Sequence, residues 1–116
     1  AGLAAIYHQR NQLDAAIAEY QTALELEPQA HYALNGLARI YIQKNTQLQD
    51  AIAFAERAFR LNPLPQYLET LALAYAKAGE HDSALNAIRA AIKMDGRNPS
   101  FHQTLAKINN RAEVKP

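Results

Sequence analysis

Apolar residues along this chain recur with the spacing of helices. Leu3, Ala4 and Tyr7 form one stripe, Leu34, Leu37, Ala38 and Tyr41 a second, and Leu68, Leu71, Ala72 and Tyr75 a third. Positions three and four apart share one face of a helix with 3.6 residues per turn. The pattern predicts seven helices, at about 1–10, 13–26, 29–44, 48–61, 65–78, 81–94 and 99–111, with 112–116 as a frayed polar tail.

A longer beat overlies the helical one. Tyr7, Tyr41 and Tyr75 are 34 residues apart, as are Leu3, Leu37, Leu71 and Leu105, and Ala4, Ala38, Ala72 and Ala106. Asn11, Asn45 and Gly79 stand where each odd-numbered helix ends. Asparagine and glycine most readily take the left-handed conformation that terminates a helix. Asp14, Asp50 and Asp82 begin the even helices, where a carboxylate meets the positive end of the helix dipole. Pro65 and Pro99 suit a first turn, where no backbone donor is lost. Asn35-Gly36 reads as a turn in isolation, but the apolar stripe runs through it, so the third helix is expected to continue. The middle unit has one extra residue between Asn45 and Ala51, expected at Thr46-Gln47. The linker Pro63-Leu64-Pro65 is one residue short, which returns Tyr75 to register. A fixed period of this length predicts stacked supersecondary units, each contacting its neighbours, and directs the functional question toward binding surfaces.

These residues resemble the tetratricopeptide repeat, a 34-residue helix–turn–helix unit. The first repeat carries Leu3-Ala4, Tyr7, Asn11, Ala16, Tyr20, Ala23 and Pro28; the second carries Leu34, Leu37-Ala38, Tyr41, Asn45, Ala51, Ala55, Ala58 and Pro63. The third carries Leu68, Leu71-Ala72, Tyr75, Gly79, Ala84, Ile88 and Ala91. The resemblance implies an all-α, right-handed superhelical solenoid of antiparallel helix pairs. Three repeats (about 1–30, 31–64 and 65–98) and a capping helix at 99–111 would form one domain. Ala55 stands where a large residue is usual, with Phe54 or Phe59 available to fill the space, and Gly96 replaces the closing proline. In the seventh helix Asn109 occupies the tyrosine position, as expected of a water-facing cap that docks through Phe101, Leu105 and Ile108. The first repeat lacks the opening turn of its first helix and the chain has no initiating Met, so a fragment or processed form of a longer protein is expected. The phrasing from Leu48 to Leu85 leans toward a bacterial source, in cytoplasm or periplasm.

Composition narrows the function classes. The chain has 116 residues, 49% of them apolar, and no cysteine, which removes disulfides, thiol catalysis and cysteine-based zinc sites. No apolar run approaches the roughly 18 residues of a membrane span, so a soluble chain without membrane insertion is expected. The net charge of +1 hides an asymmetry. Residues 1–30 carry Arg10 against Asp14, Glu19, Glu25 and Glu27, a net −3. Residues 85–116 carry Arg89, Lys93, Arg97, Lys107, Arg111 and Lys115 against Asp95 and Glu113, a net +4. Opposite ends of this kind could stack head to tail, although solvated helix faces are the plainer reading. His8, His31, His81 and His102 show no metal-ligand spacing and read as solvated or capping. No phosphate loop or nucleophile elbow appears, so no catalytic residue, cofactor or metal is implied. Few exposed aromatics interleave the basic C-terminal third, which argues against nucleic acid.

At this spacing the tyrosine ladder reads as core. A separate polar stripe runs beside it, and the family resemblance places that stripe in a concave groove. It comprises Ala5, His8 and Gln9, then Tyr32, Asn35, Arg39 and Gln43. Gln66, Glu69, Thr70, Leu73 and Lys77 follow, then Gln103, Lys107 and Arg111. An ordinary solvated face is the alternative for each. Some family members clamp C-terminal carboxylates with paired basic and asparagine residues. The matching positions here are Ala1 and Ala5, Asn35 and Arg39, and Glu69 and Leu73. Only the middle pair suits, and Glu69 would repel a carboxylate, so that clamp is not expected. Arg39, Lys77 and Lys107 could still receive an acidic segment. The leading expectation is a non-enzymatic module that binds a protein or peptide segment in its groove, as a scaffold or in assembly. The rival is a self-associating structural repeat, a homo-oligomer joined head to tail or by an exchanged terminal helix. A third is service to an enzyme encoded elsewhere in the parent chain.

Overall fold

The computed structural model describes Gly2–Val114, with side chains described from Leu3 to Asn110. The described residues form seven helices: α1 (Gly2–Gln9), α2 (Leu13–Leu26), α3 (His31–Lys44), α4 (Leu48–Leu61), α5 (Pro65–Lys77), α6 (His81–Met94) and α7 (Pro99–Val114). Bounds of α2, α4 and α6 match the sequence expectation. Helix α3 starts two residues late, because Ala30 has ψ 88° and its amide closes a turn on the Glu27 carbonyl at 3.0 Å. Helix α7 runs past the expected end at Arg111, through Ala112 and Glu113, two good helix formers with no breaker among them. The remainder of the expected tail, Lys115 and Pro116, lies outside the described residues.

The tyrosine beat and the turn beat are parts of one structure. After α1, α3 and α5 the left-handed residue has φ of 59° (Asn11), 53° (Asn45) or 83° (Gly79). Its amide donates to the carbonyl three residues back, in His8, Ile42 and Ala76, at 3.0–3.1 Å. The next amide, of Gln12, Thr46 or Glu80, donates to the tyrosine carbonyl of Tyr7, Tyr41 or Tyr75 at 2.8–3.0 Å. This double closure satisfies carbonyls that a helix end otherwise strands. The extra residue of the middle repeat falls where expected. Gln47 takes a second left-handed conformation, φ 49°, immediately before α4.

Helix α3 packs on α5 and α5 on α7, while each even helix packs on the odd helices beside it. Odd helices therefore form an inner layer and even helices an outer one, in an all-α repeat solenoid. The body measures 42 × 28 × 23 Å. Close approach between layers rests on alanine: Ala16, Ala38, Ala51, Ala72, Ala84 and Ala91 are all fully buried. Each loses no side-chain entropy on burial, and its small size brings helix backbones together. Tyr41 is buried, and Tyr7 and Tyr75 pack half-buried against the core. Phe54 and Phe59 pack beside Ala55 and Ala58, and the Phe54 ring lies 6.2 Å from that of Tyr41.

Gly36 is buried in mid-α3, and the hydroxyl end of the Tyr20 ring lies close beside it. The helix continues through Asn35-Gly36 as the stripe implied, and the glycine serves packing. A Cβ there would stand 2.5 Å from Cε2 and 2.7 Å from Cε1 of Tyr20.

The cap docks through buried Phe101 and Ile108 and half-buried Leu105. Asn98 caps α7 by accepting the Ser100 amide at 2.9 Å. Asn109 is half-buried, less open to water than the cap reading implied. Two histidines also differ from a solvated role. His31 and the Tyr67 hydroxyl are hydrogen-bonded at 2.6 Å, and both ring nitrogens of His81 are buried without a partner.

Candidate functional site

The polar stripes of the odd helices face inward as a series of recesses. The first, of about 380 Å³, is lined by Ala5, His8, Gln9, Tyr20, Arg39 and Gln43. The second, of about 320 Å³, is lined by Asn35, Arg39, Gln66, Glu69, Thr70, Leu73, Ser100, Thr104 and Lys107. The third, of about 470 Å³, is lined by Ile42, Leu73, Ala76, Lys77, Lys107, Ile108 and Asn110. Arg39 belongs to the first two recesses, and Leu73 and Lys107 to the last two, so the three form one continuous surface.

The structure thus brings together Asn35, Arg39, Gln43, Gln66, Glu69, Leu73, Lys77 and Lys107 of the expected groove. Tyr32 and Gln103 line none of these recesses. The Tyr32 ring meets His31 edge-on, centroids 6.3 Å apart. The side chain of Arg111 lies outside the described residues.

Several of these groups are already engaged. Gln43 donates to Asn11 Oδ1 at 3.1 Å, and its Oε1 lies 3.2 Å from His8 Nε2, bracing α1 against α3. Glu69 Oε2 accepts from the Ser100 hydroxyl at 2.7 Å and from the Thr104 hydroxyl at 2.8 Å. Charge-assisted bonds of this length are worth about 1.5–3 kcal/mol each. Glu69 therefore fastens the cap to the third repeat. Thr70 turns its hydroxyl back to the Gln66 carbonyl at 3.2 Å.

Other capacity is spare. Arg39, Lys77 and Lys107 are exposed, and among the described residues the recorded ion pair is Lys44–Asp14, at 3.0 Å. Asn35 Oδ1 is buried in the second recess and meets no donor. Beside the first recess, burial raises the Tyr20 pKa, partly offset by the nearby Arg39 guanidinium. Tyr20 thus remains a neutral hydroxyl at physiological pH.

Sequence reasoning missed Tyr20, Ser100 and Thr104 as lining residues, and Ile42, Ala76, Ile108 and Asn110 of the third recess. Thr104 lies 34 positions after Thr70, so the period itself marked it. Tyr20 comes from the outer layer and reaches the recess through the gap at Gly36, which no one-helix stripe reveals. Among the described residues no group of three or more His, Asp or Glu could hold a metal, and no helix is long and apolar enough to cross a membrane.

Comparison with known proteins agrees with this architecture. Residues 4–45 match the family model for the TPR repeat, and residues 44–111 match that for the anaphase-promoting complex, cyclosome, subunit 3. The two matches meet at Asn45, beside the extra residue of the middle repeat. No curated protein matches the sequence. Among solved structures, the Sgt2 TPR domain from Aspergillus fumigatus is similar at 21% identity and TM-score 0.86, over 99% of this chain and 81% of that one. The first TPR of Spaghetti (RPAP3), bound to the HSP90 peptide SRMEEVD, is similar at 16% identity and TM-score 0.86, over 97% and 90%. YrrB, described as a TPR protein with an unusual peptide-binding site, is similar at 22% identity and TM-score 0.79, over 92% and 55%. The repeated frame of Leu, Ala and Tyr, the paired helices and these matches together make the chain a member of the tetratricopeptide-repeat family.

Proposed function

We propose that this chain is a non-enzymatic protein-interaction module that holds an extended segment of a partner along its inner face, in a scaffold or assembly role. The observation that carries the reading is the spare capacity of that face. Among the described residues, three cations without an ion pair line a continuous surface built by five helices. The carboxylates of a docked segment supply the missing partners. Arg39, Lys77 and Lys107 outnumber the Glu69 carboxylate, which is held in place by two hydroxyls, so the face prefers an acidic segment. The family is one of interaction modules, and one similar structure holds a peptide.

With three short recesses the affinity is expected to be modest, on the order of micromolar. A displayed library of random peptides, panned against the protein, tests the assignment. Arg39→Glu, alone and with Lys107→Glu, should weaken selected binders about tenfold while helicity by circular dichroism stays unchanged. Binders indifferent to both variants would overturn the groove.

A further inference from the structure

The third recess differs from the other two. Its floor is apolar, made by Ile42, Leu73, Ala76 and Ile108, and its rim carries the exposed amines of Lys77 and Lys107. An apolar floor between two cations selects a bulky apolar side chain flanked by carboxylates.

This chain carries such a segment. Leu26, the last residue of α2, is 84% exposed, more than any other large hydrophobic among the described residues. Glu25 precedes it and Glu27 follows, both exposed. The equivalent residues closing the other outer helices are Leu61, between Arg60 and Asn62, and Met94, between Lys93 and Asp95. They are only 37% and 50% exposed, and neither has an acid on both sides. The Leu26 turn is also held rigid. The Glu27 amide donates to the Ala23 carbonyl at 2.8 Å, and the Ala30 amide to the Glu27 carbonyl at 3.0 Å. From the outer layer, Arg57 Nη2 donates to the Pro28 carbonyl at 3.1 Å. A segment ordered beforehand loses little entropy on docking.

We propose that the Lys77–Lys107 socket receives the Glu25-Leu26-Glu27 turn of a second copy of this chain. The turn belongs to the first repeat, while the socket is built mainly by the third repeat and the cap. Each copy therefore donates one turn and offers one socket, and the contact is head-to-tail, able to extend as an open row. The wider charge pattern agrees, since residues 1–30 sum to −3 and residues 85–116 to +4. The proposal rests on reading the inner face as a docking surface and names one occupant for one part of it. One apolar side chain and two ion pairs fall well short of the roughly 1,600 Å² of a standard interface, so association is weak, with a dissociation constant approaching about 1 mM.

Sedimentation of the full chain over a concentration series up to about 1 mM tests it, at about 0.05 M and about 0.5 M salt. Self-association should appear at low salt and fall severalfold at high salt. Glu25→Lys with Glu27→Lys, and separately Lys77→Glu with Lys107→Glu, should each lower the association constant about tenfold. Mixing the two variants should restore it, because each basic turn then meets an acidic socket and each acidic turn a basic one. Leu26→Ser should weaken association by a similar factor at both salt concentrations. A monomer at every concentration, association that ignores these charges, or mixing without recovery would overturn the proposal. Arg39 lies outside the socket, so Arg39→Glu should leave self-association intact. Failure of the peptide-groove reading and failure of this one are thereby separable.

Discussion

Replacing Gly36 by alanine sets helix propensity against packing. Alanine in a helix interior is worth about 1 kcal/mol over glycine. Against that, the new Cβ would lie closest to Cζ of Tyr20 and 2.5–2.7 Å from Cε2 and Cε1, where carbon atoms rest at roughly 3.5–4.0 Å. The ring must retreat by roughly 1 Å. It is rigid, only 6% exposed and packed within the core cluster that includes Ala16 and Leu37, so although its far end borders the first recess, tilting relieves the contact only in part. Overpacking of this kind costs about 1–3 kcal/mol, and a rigid ring places it near the upper end. The net expectation is a loss of about 2 kcal/mol, or roughly 5–10 °C in Tm for a domain of this size. Urea denaturation followed by circular dichroism measures it. A double-mutant cycle isolates the cause: in a Tyr20→Leu background the ring edge is gone and Gly36→Ala should turn stabilising. If Gly36→Ala alone equals or exceeds the parent in stability, or if its sign is the same in both backgrounds, the packing account is wrong.

Two further outcomes follow from the backbone and from burial. Gln47→Gly should stabilise by about 0.5–1 kcal/mol, since Gln47 is exposed, makes no capping bond and holds φ at 49°, whereas Ala53→Gly on the exposed face of α4 should cost about 1 kcal/mol; urea midpoints of the two variants check the contrast. Burial raises the pKa of Tyr20, Tyr41, Tyr67 and Tyr75, so the folded chain retains phenolic protons that the unfolded chain releases near pH 10; stability is full below that value and falls as pH climbs toward the folded pKa values. Thermal melts from about pH 8 to about pH 11 should show that decline, with a shallower slope in Tyr67→Phe, and a flat profile would refute it.

Most of the architecture was legible because each signal in the chain is local. Helix ends depend on a residue that tolerates positive φ, and Asn11, Asn45 and Gly79 announce them in the letters alone. The extra residue before α4 could be placed by counting, since rigid helix pairs push length changes into turns. The inner face was legible only in part. Arg39, Glu69, Leu73 and Lys107 follow from a one-helix stripe, and the structure gathers them. Whether a stripe residue is free or occupied depends on what sits on the next helix. Glu69 looked like a repellent charge, yet Ser100 and Thr104 of the cap engage it. Tyr32 sits one turn from Asn35 on the same stripe, but its ring meets His31 edge-on and lines none of the recesses. Tyr20 enters from the other layer, through a space that exists because residue 36 has no side chain.

The left-handed turn at Asn45–Gln47 has a practical consequence. The chain there carries one residue more than the other repeats, between two uninterrupted helices, and its residues are exposed. Loop closure costs only about 0.6 kcal/mol for each doubling of length, so this is where a probe or a short tag can be spliced in with least harm. A donor or acceptor dye placed there reports on neighbouring molecules without occupying the Leu26 turn. The irregularity in the middle of the stack is thus a built-in attachment point for observing the rows that its two ends are proposed to form.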